Sequence, residues 1–256
     1  MLLKYCKYIF ICNSFYKVVD DIFLMKIIER DKSVVVACDV STLVNFRDIV
    51  SSTADNEKIG GYKIGFSLGL KYGLPKIVEA AREYGDKPLI YDHQKAGTDI
   101  PDIGKNFAEV CSNAGIDAVI LFPQAGPVTE RAWIKAAKDW ELGVIVGGRM
   151  THDAYSESEG GFITDKGALE MYRIADEEGV RDFVVPGNKP EVIMEIKRVL
   201  ENVEKPVFYA PGFITQGGNI SDAAKVVGDR FHAIVGSAIY KNEDRKVAAL
   251  EMTSQI

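Results

Sequence analysis

Two periods of apolar and polar positions take turns along this chain. Short, nearly unbroken apolar runs rich in β-branched residues fall at 33–39, 61–66, 87–92, 116–122, 142–147, 181–186, 206–210 and 231–236. Such runs predict strands covered on both faces. Between them, at 42–54, 70–84, 100–114, 128–140, 166–178, 190–201 and 221–227, and again at 243–252, apolar residues return every three or four positions, which places them on one stripe of a helix. Pro190 and the pair Ser221-Asp222 carry helix-start chemistry, while Gly85, Gly115, Gly143 and Gly179 stand where helices are expected to end. Strand and helix alternate eight times without a linker rich in Pro, Ser or Gly. The pattern predicts one α/β domain over 25–256, a (βα)8 TIM barrel, with an open doubly wound sheet as the second solution.

Composition narrows the function classes. With 256 residues, 47% of them hydrophobic and 27% charged, the chain can bury a barrel-sized core. A net charge of -6, with no stripe of Lys and Arg, argues against a nucleic-acid partner. The first 24 residues are more apolar and aromatic than the rest, yet Lys4, Lys7, Asn13, Lys17 and Asp20-Asp21 interrupt them too often for a membrane span or a signal peptide. They read as an extension outside the barrel, not native or poorly ordered, with Met25 a natural start. Cys6, Cys12, Cys38 and Cys111 show no C-x-x-C spacing, which suits reduced thiols and a cytoplasmic location. Three histidines are too few for a His-rich metal site.

In a barrel, chemistry gathers where strands end. Those ends hold Asp39, then Lys63 inside the second strand, then Asp92, Lys95 and Asp99 in PLIYDHQKAGTDIP, Arg149-Met150-Thr151-His152 after the fifth strand, Pro211 to Gly218 after the seventh, and Gly236-Ser237 after the eighth. A lysine between carboxylates keeps its proton, and partly desolvated carboxylates repel any third anion brought near. Such a site could help expel a substrate carboxylate as carbon dioxide. Each residue also has a plainer use. An isolated D-x-x-K-x-x-x-D is more often a solvated loop. Asp39 could cap the next helix, as could Ser41 or Thr42. Lys63, in a strand that should be buried, needs a snorkelling route or a partner carboxylate. Gly212 and Gln216-Gly217-Gly218 suit a mobile turn or a phosphate cradle of backbone N–H groups. His152 reads as solvated, and the polar loop 148–164 suits a substrate cover or plain disorder.

With these pieces placed, the chain resembles the orotidine 5'-monophosphate decarboxylases over roughly residues 34–240. The landmarks are ACD ending at Asp39, YKIGFSLGL containing Lys63, the Asp92/Lys95/Asp99-Ile100-Pro101 cluster, MTHDA, APGFITQGG and IVGSAIY, in that order. The resemblance implies a barrel that converts orotidine 5'-monophosphate to UMP in pyrimidine biosynthesis with no cofactor, as a homodimer with shared active sites. It implies that Asp39 bonds the ribose, that Lys63 joins an Asp–Lys network with Asp92 and Lys95, and that Asp99 reaches into the neighbouring subunit's site. Thr151 would read the pyrimidine, and Gln216 would lie on a loop closing over the phosphate, with Pro211, Gly217, Gly236 and Ser237 also binding substrate. In physical terms, Asp92 disfavours the substrate carboxylate in the ground state, while Lys95 stabilises the carbanion at C6 and then protonates it. Two departures stand out. The family spacing is D-x-K-x-x-D, so here the backbone after Asp92 must bulge or turn to bring Lys95 back, with His93 an alternative partner. Ser237 stands where the family carries a phosphate-binding arginine, leaving that work to Lys241 or to backbone N–H groups near Gly236 and Gly218.

Two other functions remain open on these residues. One is a metal-dependent sugar-phosphate decarboxylase or aldolase on the same scaffold, against which THDAY and PGFITQGG argue. The other is a non-catalytic nucleotide-phosphate binder.

Overall fold

The computed structural model describes residues 26–93, 96–212 and 220–256, with backbone alone for 221–223. The expectations for 1–24 lie outside the described residues. Eight strands form a closed barrel in sequence order: β1 (Lys32–Ala37), β2 (Ile59–Gly65), β3 (Leu89–Asp92), β4 (Ala118–Leu121), β5 (Gly143–Gly147), β6 (Asp182–Val184), β7 (Val207–Pro211) and β8 (Phe231–Val235). All pairs are parallel, and β1 closes on β8 with Val35 opposite Ile234. That closure rules out the open sheet.

The helices α1 (Leu43–Thr53), α2 (Phe66–Tyr72), α3 (Leu74–Arg82), α4 (Ile103–Asn113), α5 (Pro127–Asp139), α6 (Asp165–Glu177), α7 (Pro190–Val199), α8 (Ile220–Val227), α9 (Ser237–Tyr240) and α10 (Arg245–Thr253) connect the strands and follow the last one. Alternate strand residues divide into two cores. Val36, Ile64, Leu89, Val119 and Phe208 pack outward against helices, whereas Val35, Ile90, Ile120, Ile145, Val184 and Tyr209 fill the barrel. Ile28, in the segment before β1, is buried with the interior set, so the barrel floor is closed by residues that the strand pattern did not reach.

Three boundaries differ from expectation, each for a local reason. The predicted helix 70–84 is two helices, because Gly73 breaks it and Pro75 starts the next turn. The segment after β8 likewise holds two helices, α9 and α10, the latter capped by Asp244, whose side chain accepts from Val247 N–H. Gly143 does not end a helix; it opens β5. The residue that ends α5 is Glu141, with φ 57°, where Gly115 and Gly179 end α4 and α6 with φ 83° and 74°. All three close the same way: Leu142 N–H to Ala137 O, Ile116 N–H to Cys111 O and Val180 N–H to Ala175 O.

Candidate active site

Inward-facing positions of the first three strands meet at the carboxyl rim. Lys63 sits opposite Ala37 on one side and Ile90 on the other, and Gly65 is opposite Asp92. The Lys63 ammonium lies 2.9 Å from Asp92 Oδ2 and 3.3 Å from Asp39 Oδ1. The side chains of Lys63 and Asp92 are 10% and 9% exposed, that of Asp39 49%. Glycine at 65 is what admits Asp39, since a Cβ there would stand 2.6 Å from its Oδ1. Burial pulls the Lys63 ammonium down, but the charges of Asp92 and Asp39 and their hydrogen bonds more than reverse this, so its pKa stands above the usual 10.5. The partner carboxylate that a buried lysine demanded is therefore present twice. Asp39 is also free of capping duty, because Thr42 takes it, accepting from Asn45 N–H at 3.2 Å.

These residues open into a cleft of about 360 Å³. Ile120 and Phe122 belong to its apolar lining, Thr151 and Pro211 line it, and Gly236, Ser237 and Tyr240 line the part next to β8. The expected residues Asp39, Lys63, Asp92, Thr151, Pro211, Gly236 and Ser237 thus share one cavity. Lys95, Gln216, Gly217 and Gly218 lie outside the described residues. Past Asp92, Ala96 N–H donates to His93 O at 2.6 Å, while the expected return of Lys95 to Asp92 lies outside the described residues. His93 is directed elsewhere, its Nδ1 3.0 Å from the Tyr91 hydroxyl and its ring edge-on to Tyr91, which packs in the outer core. Lys241 is exposed and does not line the cleft.

Asp99 stands apart. It is exposed, accepts from Ile100 N–H at 2.7 Å, and borders a separate surface groove with Pro101, Val128 and Thr129. His152 is exposed, as its sequence setting suggested. The 148–164 loop is ordered rather than loose: Ser156 bridges to Ile163, and a capping box between Ser156 and Glu159 sets a short 3-10 turn at Glu157–Glu159. Sequence reasoning placed Arg149 on the rim without a task. Tyr240, one turn beyond Ser237, entered the sequence reading only as the end of IVGSAIY, although its aromatic type beside the Gly236-Ser237 pair was a usable signal.

Residues 32–252 match the model of the orotidine 5'-phosphate decarboxylase / HUMPS family. This chain belongs to that family. Among relatives of the decarboxylase family is an orotidine 5'-phosphate decarboxylase of Methanococcus maripaludis, 31% identical over 81% of this chain and 90% of that protein. One of Methanosarcina mazei is 31% identical over 89% of this chain and 96% of its own length. The barrel also superposes on the crystal structure of the decarboxylase family member from Methanocaldococcus jannaschii complexed with the inhibitor BMP, with a TM-score of 0.76 and 25% identity over 88% of this chain and 98% of that one. The Pyrococcus horikoshii enzyme gives 0.72 at 28% identity, over 87% and 98%.

Proposed function

We propose that this chain decarboxylates orotidine 5'-monophosphate to UMP, in pyrimidine biosynthesis, without a cofactor. The observation that carries the reading is Lys63 held between Asp39 and Asp92 at the rim of a closed barrel, on a chain that leads directly from Asp92 to Lys95. Asp92 is set deep, so an orotate carboxylate bound beside it is disfavoured before reaction and relieved as carbon dioxide leaves. Lys63 stays cationic and fixes the orientation of Asp92 from behind. Lys95 supplies the cation for the electron pair left at C6 and then its proton, so atoms and charge balance with no metal or organic group taking part. The uncatalysed reaction is slow enough that the site must supply near the upper end of enzymatic stabilisation, about 23 kcal/mol.

Asp39 binds the ribose and Thr151 the pyrimidine in this reading. The phosphate lies toward Gly236 and Ser237, with Gln216 and Gly217 also assigned to its binding. Asp99 serves the cleft of a second copy. Support comes from its exposure away from its own cleft, and from the apolar side chains around it, Ile100 at 58% and Val128 at 71% exposure. We place the enzyme in the cytoplasm, where the buried free thiols of Cys38 and Cys111 would persist. Among the described residues no helix is long and apolar enough to cross a membrane.

The deciding experiment is incubation of the purified chain with orotidine 5'-monophosphate, with UMP quantified by chromatography. Stoichiometric UMP, unchanged after exhaustive chelation, is expected. UMP binding without turnover would make the chain a binder, and turnover restored only by magnesium would move it to the metal-dependent sugar-phosphate group.

A further inference from the structure

The loop from β5 to α6 carries Thr151 into the cleft, and one buried side chain threads it. Arg149 is 5% exposed. Its Nη1 donates to Ser156 Oγ, and to Asp165 Oδ1 at 2.7 Å, while Nη2 lies 3.5 Å from Glu195 Oε2. Ser156 is mid-loop, Asp165 opens α6 and Glu195 belongs to α7. One guanidinium therefore joins the beginning, middle and end of the loop to the next helix. The Arg149 backbone is fixed as well, its N–H donating to the Tyr172 hydroxyl at 3.2 Å, which itself donates to Val184 O at 2.7 Å.

The other side of Thr151 is held by different side chains. Asn188 Nδ2 donates to Thr151 O at 3.0 Å, and Lys189 donates to His152 O at 3.1 Å and pairs with Glu159 at 2.5 Å. The Thr151 side chain stands against the backbone of Gly212, where a Cβ would come within 2.9 Å of its Cγ2. Closing a surface loop does not require a buried cation. Desolvating a guanidinium costs several kcal/mol before its partners are counted, and an aliphatic side chain of similar volume would fill the space without that cost. What the aliphatic side chain would not supply is three directed contacts that fix where the loop, and with it Thr151, stands.

We propose that Arg149 is a positioning residue for the base end of the substrate, acting through Thr151. The inference rests on the decarboxylase reading above and extends it, assigning ring recognition in part to a side chain whose guanidinium is turned into the loop.

The test compares wild type with Arg149→Met, Arg149→Lys, Ser156→Ala, Thr151→Ala and the Arg149→Met/Thr151→Ala double variant. The readouts are kcat/KM for orotidine 5'-monophosphate and the inhibition constants of UMP and ribose 5-phosphate. Arg149→Met should lower kcat/KM about 100-fold, the scale of a small misplacement at a reacting centre. It should weaken UMP while leaving ribose 5-phosphate within about twofold. Added to Thr151→Ala, it should cost less than about threefold more, because two changes on one route do not add. Arg149→Lys keeps charge without the fork and should recover part of the loss. Ser156→Ala should move UMP alone in the same direction, and decides the matter if Arg149→Met does not fold. Equal weakening of UMP and ribose 5-phosphate, or full additivity with Thr151→Ala, would reduce Arg149 to a packing role. A wild type that binds UMP without turnover sinks the decarboxylase reading, and the Arg149 assignment then stands or falls on the dissociation constants of UMP and ribose 5-phosphate, measured by direct titration.

Discussion

Tyr209 donates its hydroxyl hydrogen to Asp182 Oδ1 at 3.0 Å on the barrel floor, and its ring centroid lies 4.8 Å from that of the buried His232. Neither titratable group takes part in the proposed chemistry, and they respond to acid in opposite senses. Burial pushes the Asp182 carboxyl up from 3.8 to about 7, against the opposing pull of Tyr209 and Arg230. Burial, with Arg230 adding to it, pushes the His232 imidazole down from 6.5 to about 3.

A raised acid contributes its full stability below its unfolded value and loses it as pH rises through the folded one. A lowered base contributes fully above its unfolded value and loses it as pH falls. Between about pH 4 and pH 6.5 the two slopes cancel. Asp182→Asn removes one of them, so its stability relative to wild type should climb by about 1.4 kcal/mol per pH unit across that window. Asp182 is partly exposed, so the full slope holds over only about 1.5 pH units of that window and the total gain is on the order of 2 kcal/mol. Urea unfolding of both proteins at pH 5 and pH 7 checks this, and a pH-independent difference would mean that the carboxyl titrates normally.

Lys63→Met removes the cation between Asp39 and Asp92. Leaving a buried carboxylate without that partner should cost about 3–5 kcal/mol of stability, and losing a preorganised electrostatic group should lower kcat about 10²–10³-fold. Thermal melts and steady-state rates measure the two effects separately. Undiminished turnover would remove the trio from the mechanism.

Glu141 occupies a left-handed position that glycine fills after α4 and α6, and it is exposed. Glu141→Gly should therefore stabilise the protein by about 1 kcal/mol, the usual strain of a side chain in that conformation. A chemical-denaturation midpoint that falls instead would show that Glu141 makes a stabilising contact outweighing its strain.

Asp99 and Lys95 provide the test of a shared site. Lys95→Ala and Asp99→Ala should each be inactive alone. After verified subunit exchange about half the dimers are hybrids, and one of the two sites in each hybrid regains both residues, giving about a quarter of wild-type activity. A mixture that stays inactive would place Asp99 in its own subunit's site.

Much of this site was legible because its residues contradict their surroundings. Lys63 in an apolar strand demands a carboxylate whatever the fold, and two were found. The barrel was legible because Val34, Val35 and Val36 are all buried, which only cover on both faces permits. Asp39 was ambiguous, since Asp39, Ser41 and Thr42 are all capable caps and only geometry assigns the cap to Thr42. The break at Gly73 was hidden by an apolar stripe that runs on from Leu68 through Leu74 to Ile77, although Pro75 marked it. Gly143 misled because the turn after α5 closes on backbone hydrogen bonds that accept any residue able to bear the strain, and Glu141 does. The contacts of Arg149 could not be read from spacing at all, since they join residues 149, 156, 165 and 195 through side-chain direction alone.

Lys63 and Asp92 lie in β2 and β3 and Asp39 two residues past β1, while Pro211 ends β7 and Thr151, Gly236 and Ser237 follow β5 and β8. In the proposed reading the residues that act on the bond, Lys63 and Asp92, thus stand on neighbouring strands, while the groups that hold the substrate are spread from Asp39 round to Ser237. A substitution at 237, after β8, therefore falls on the phosphate side of the cleft in this reading and leaves the strands of Lys63 and Asp92 as they are.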